Sequence, residues 1–205
     1  QPAAIMNSAL RTQRALTLWV LLGLLSFVLL PWYFLQQGSL WSALPHIWGG
    51  SETASALLQV LQHDRPWLWV GFAGLFICLV GLIIPVLAQP KRQGFFLVAG
   101  ALLGLIGLIS SGFAIGALGW SFEFLEQWAG PLSQGQYGMG WGAACVLLSL
   151  TILLGAGLAR LGYCRGDVFI ASAVVLCVAL LSLFVVYPVS RSLVSAFYAE
   201  TGELS

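Results

Sequence analysis

Five stretches of this chain stay apolar for about twenty residues or more, the length a helix needs to cross a bilayer. They cover residues 15–35, 67–88, 95–120, 139–159 and 168–189. Backbone polar groups in lipid must be satisfied internally, so only helices and closed barrels span membranes. A barrel would show alternating segments of about ten residues, and these runs are roughly twice that. Composition agrees: 60% of residues are hydrophobic and 7% charged, whereas a soluble domain carries about a quarter charged residues. Soluble globular, disordered and nucleic-acid-binding readings are excluded. The expected fold is an all-α integral membrane protein with about five transmembrane helices.

Basic residues give the orientation. Arg11 and Arg14 precede the first span, Lys91 and Arg92 lie between the second and third, and Arg160 and Arg165 lie between the fourth and fifth. The opposite loops hold Arg65 and Arg191, with Glu52, Asp64, Glu123, Glu126, Glu200 and Glu203. The N-terminus is therefore expected in the cytoplasm and the C-terminus outside. All tryptophans but Trp19 map to the outer side, where an indole has both an apolar layer and hydrogen-bond partners. The first span is too long for a signal peptide and no small-residue cleavage pattern follows it, so it reads as a retained anchor. The first residue is Gln1, which reads as a processed, trimmed or excised start.

The outer loops carry helical signals. Ser51 suits an N-cap, Glu52 suits the first turn, and Ala54, Leu57, Leu58 and Leu61 recur at helical spacing before Pro66. These residues predict an interfacial helix over 52–63. Residues 121–128 predict a further aromatic-rich turn or two, ended by Gly130-Pro131. Trp41, Trp48, Glu123, Glu126 and Trp128 form a candidate docking surface for an outer partner; a membrane-lying cap over the bundle is the plainer account.

No span has an ionisable residue near its centre. Carriers that move ions keep such groups inside, so a proton-coupled carrier, a voltage sensor and a paired-aspartate protease are disfavoured. Neither His46 nor His63 has a ligand partner at helical spacing, and no nucleophile, zincin or phosphate-loop motif occurs. No catalytic residue, metal or cofactor is expected. Cys78, Cys145, Cys164 and Cys177 are not clustered, and the three in apolar runs read as buried small hydrophobes. In the third span Gly100/Gly104 and Gly112/Gly116 form GxxxG pairs, and Gly107/Ser111 adds a small-xxx-small pair. This pattern predicts close helix packing and a central third span, with residues 110–112 as a candidate hinge.

The C-terminal residues carry a resemblance. Tyr187-Pro188, Ser195-Ala196-Phe197 and Glu200-Thr201-Gly202 resemble the opening of permease subunits in binding-protein-dependent ABC importers, of the ferric-iron or sugar-phosphate type. The specific likeness covers about residues 167–205. In that family the first core helix ends in a Tyr-Pro step, and long members have extra spans before the core. The cytoplasmic Glu-Ala-Ala coupling loop that grips the ATPase subunit is absent here. The resemblance implies two parts: a four-helix membrane region over 1–166, and over 167–205 a first core helix with the start of a periplasmic segment. It implies a multi-pass protein of a bacterial inner membrane, surrounded by lipid. The rest of a permease core, an ATPase subunit and a periplasmic binding protein are the implied partners. The expected role is scaffolding with possible docking of the binding protein. The rival expectation is a self-standing structural or assembly subunit of a larger membrane complex.

Overall fold

The computed structural model describes residues 2–34, 54–84, 89–116, 119–120, 126–127 and 138–197. Its long elements are α1 (Pro2–Leu29), α3 (Trp69–Ile83), α4 (Pro90–Ala114), α5 (Trp141–Arg160) and α6 (Val168–Leu181). The short helix α2 (Ala56–Gln62) lies between α1 and α3. A π-helical turn (Ser182–Val186) joins α6 to α7 (Tyr187–Phe197). Among the described residues, five helical stretches are long and apolar enough to cross a membrane: Leu10–Leu29, Pro66–Ile83, Pro90–Ala114, Trp141–Arg160 and Val168–Ser190. The first begins and ends earlier than hydropathy alone predicts, because Pro31 and the short strand β1 (Tyr33–Phe34) follow α1.

Small residues decide which helices meet. A Cβ on Gly74 would sit 2.5 Å from the Gly100 carbonyl oxygen and 2.9 Å from the Gly104 backbone, so α3 and α4 touch backbone to backbone. In lipid such contact is a main source of helix association, since lipid tails are as apolar as leucine. α5 packs on α1, α4 and α6, and 61% of its span is buried inside the protein, against 39% for α4. The third span is therefore not the most enclosed helix, contrary to the glycine-pair expectation; the fourth is. Seven of its eleven buried residues (Gly142, Ala143, Ser149, Gly155, Ala156, Gly157 and Ala159) are small and let neighbours approach closely, while Val146, Leu150, Thr151 and Leu153 fill the space between helices.

The residues just after α1, 31–34, are pinned by backbone hydrogen bonds. Gly140 N donates to Trp32 O at 2.9 Å, Gly142 N donates to Pro31 O at 2.8 Å, and Trp32 N donates to Ala54 O at 3.1 Å. Strand β1 pairs antiparallel with β4 (Gly138–Met139), and β2 (Ile115–Gly116) pairs with β3 (Gly119–Trp120). A side chain on Gly140 would meet three carbonyl oxygens of residues 31–33 within 2.9 Å. That close approach requires glycine there.

Two local expectations change. The described helix between the first two spans starts at Ala56, and Ser55 occupies its N-cap without a side-chain cap bond; Ser51 and Glu52 lie outside the described residues. Ala56 and Gln59 are its buried residues, Leu57 packs against the core and Leu61 is 65% exposed. The helix of the fifth span also passes through the Tyr187-Pro188 step. Proline lacks an N–H and its ring crowds the carbonyl four residues back. The wider π-helical turn just before Tyr187 makes room for it.

Candidate functional site

Three polar or unpartnered regions stand out on this scaffold. The first is at the tryptophan-rich end. Phe27 packs edge-on to Trp32 and lies against Trp69 and Phe72, forming an aromatic plug. Beside it Arg65 is only 3% exposed and places its guanidinium 4.4 Å from the Tyr33 ring centroid. A cation over an aromatic face is stabilised by the ring quadrupole, more so when desolvated. Burial pushes the Tyr33 phenol above its ordinary value of 10.0, and the Arg65 charge opposes that rise. Gln59, fully buried, donates from Nε2 to Ala54 O at 3.4 Å. The arrangement locks the segments around Tyr33, Gln59 and Arg65 together across the bundle end.

The second region is at the basic end. Arg160, the last residue of α5, donates to Gln93 Oε1 at 2.6 Å and to Gln13 Oε1 at 2.8 Å. Gln13 Nε2 donates onward to Leu82 O at 2.8 Å. One guanidinium thus ties together α1, α3, α4 and α5. Gly94 permits the contact: a Cβ there would lie 2.9 Å from Gly157 O and 3.0 Å from Arg160 Cβ.

The third region is the fifth span. Only 6% of it is buried, and Ala171 is the buried residue of α6. Its main hold is on α5, where Ser172 packs against Gly155 and donates to Ile152 O at 3.2 Å. At the far end Tyr187 meets Phe113 with ring centroids 5.2 Å apart. Phe169, Leu181 and Phe184 face outward, at 82%, 62% and 72% exposure.

The sequence-predicted residues fall as follows. Gly100 and Gly104 face inward, against Gly74 and Cys78 and against Leu150, respectively. Gly107 abuts Val70, and Ser111 is buried and donates to Leu108 O at 2.8 Å. Gly112 is a correction: a Cβ there meets nothing within 4 Å, so among the described residues it packs against no neighbouring helix. Gly116 lies in β2. The helix is unbroken to Ala114, so residues 110–112 do not interrupt it. Of the candidate docking residues, Glu126 is exposed in a short helical turn, while Trp41, Trp48, Glu123 and Trp128 lie outside the described residues. Cys78 is buried, but Cys164 and Cys177 are exposed, which corrects the buried reading for Cys177. Among the described residues no cluster of three His, Cys, Asp or Glu could hold a metal ion. Arg65, Arg160, Gln13 and Gln93 went unremarked as site residues, although polar groups at the rims of apolar runs are a signal for such ties.

No protein-family model, curated protein or solved structure matches this chain. The likeness of residues 167–205 to importer permeases therefore stands on those residues alone.

Proposed function

We propose that the chain is a non-catalytic membrane scaffold whose fifth span is its docking element, and that the assembly it serves is an ABC importer permease. The exposed α6 carries this reading. Four helices close on one another, whereas α6 is held along one side and leaves the rest free for lipid or for further helices. Helix association in lipid depends on packing and polar contacts, and the bundle's small residues are used mainly between α1, α3, α4 and α5. The permease assignment rests on Tyr187-Pro188, Ser195-Ala196-Phe197 and Glu200-Thr201-Gly202. On this reading the chain sits in a bacterial inner membrane with its basic end in the cytoplasm, and α2 lies in the outer interface. The candidate cargo is ferric iron or a sugar phosphate.

The test is removal of residues 1–162 from a full-length permease that carries this region. Lower subunit yield, or weaker binding-protein-stimulated ATPase activity at unchanged nucleotide affinity, is expected. Normal assembly and normal stimulation would overturn the scaffold role. A second reading, a self-standing structural or assembly subunit of a larger membrane complex, accounts equally well for spans with no ionisable group near their centres. Coding sequence past Ser205 with more apolar spans and a Glu-Ala-Ala coupling loop supports the permease; a stop codon supports the subunit.

A further inference from the structure

Arg160 is half-buried at the basic end, and its two acceptors are neutral amide oxygens. A guanidinium has five N–H donors; two go to Gln93 and Gln13, and three remain. The glutamine contacts fix the plane of the fork but leave its charge uncompensated. Around it the topology gathers Arg11 and Arg14 on α1, Lys91 and Arg92 on α4, and Arg165 after α5, all exposed. Among the described residues none of these six cations makes an ion pair. Among the described residues the one acidic side chain at this end, Asp167, accepts from Ile170 N at 3.0 Å as the cap of α6.

We infer that Arg160, oriented by Gln13 and Gln93, docks the phosphate of an anionic phospholipid in the leaflet at the basic end. Charge complementarity selects the occupant. A phosphate offers two coplanar oxygens to a guanidinium fork, and basic pockets between transmembrane helices are suited to anionic headgroups. Arg160 is the last residue of the fourth candidate span, a position expected at headgroup level. The exposed cations attract anionic lipid in general; Arg160 alone offers a fixed fork. Gln13 and Gln93 are positioning residues.

The full chain, purified in detergent, is offered phosphatidylglycerol and phosphatidylcholine in equal amounts, and retained lipid is counted by native mass spectrometry. The wild type is expected to retain phosphatidylglycerol preferentially. Arg160→Gln is expected to reduce that preference about ten-fold, the scale of one charge-assisted hydrogen bond. A Lys91→Gln, Arg92→Gln and Arg165→Gln triple variant, altered only at exposed positions, is expected to keep most of it. The inference is overturned by a wild type without preference, by an Arg160→Gln variant that keeps it, or by a triple variant that loses it entirely. Displacement of the lipid by millimolar inorganic phosphate would assign the site to a free anion and also overturn it. Should Arg160→Gln not fold, the wild type and the triple variant still decide.

Discussion

Alanine at Gly100 and alanine at Gly112 are the same chemical change on the same helix, and opposite outcomes are expected. At Gly100 the new Cβ would lie 2.6 Å from Gly74 O, 2.9 Å from Cys78 Sγ and 3.0 Å from Cys78 N. The shortest of these falls 0.8 Å below the 3.4 Å at which ordinary contact begins. Two of the three obstacles are backbone, so α3 and α4 must separate. Overpacking of this kind costs about 1–3 kcal/mol, offset by about 0.5–1 kcal/mol for replacing glycine inside a helix. The net loss, centred on about 1 kcal/mol and at most about 2.5 kcal/mol, lowers the melting temperature by about 2–4 °C and by no more than about 10 °C. At Gly112 the Cβ meets nothing within 4 Å. Only the backbone term remains there, about 0.5–1 kcal/mol in favour of alanine. The assay is the fraction of monodisperse protein left after heating in detergent, read by size-exclusion chromatography. Equal shifts at both positions, or an unchanged Gly100→Ala, would refute the backbone-to-backbone contact of α3 with α4.

Three further outcomes are expected. Tyr33 has a raised pKa in the folded state, so its contribution to stability is fully present below pH 10 and is lost as pH rises through the folded value. Melting curves between pH 8 and 11, taken at matched salt, should therefore show a steeper alkaline loss for the wild type than for Tyr33→Phe; parallel profiles would remove Tyr33 from that role. With the other native cysteines replaced, an impermeant thiol reagent on intact cells should miss exposed Cys164 and reach a cysteine at position 134, and the reverse pattern would invert the topology. The isolated chain in liposomes should pass no ferric iron or sugar phosphate, because no span carries an ionisable group near its centre; substrate-specific flux would contradict the scaffold reading.

The spans were legible because an apolar run of twenty residues has few other uses. Their packing order was less so. The GxxxG spacing on α4 is a pattern in sequence, but whether each glycine meets a neighbour depends on helix rotation. Gly100 and Gly104 face inward and Gly112 does not. The small residues of α5 were equally visible, yet Gly155, Ala156, Gly157 and Ala159 form no single motif, and the centrality of α5 follows only once three helices are docked on it. The polar ties were hidden by separation. Arg160 and Gln13 are 147 residues apart, and their hydrogen bond exists only because α1 and α5 lie side by side. Tyr187-Pro188 marks a break in helical hydrogen bonding in the sequence, but the preceding π-helical turn absorbs the proline and the helix continues to Phe197.

Site-specific photocrosslinking from the fifth span tests its docking role most directly. A photoreactive residue is placed at Val174, Leu181 or Phe184, all exposed on that span, and at Leu18 on α1 and Phe95 on α4 as exposed controls. Each variant is expressed in cells with the permease core and ATPase subunit of one importer, and adducts are identified by mass spectrometry. Adducts from the fifth-span positions to the permease-core polypeptide, with only lipid adducts from Leu18 and Phe95, are the predicted result. Lipid adducts alone from all five positions, or equal protein adducts from all five, would contradict it.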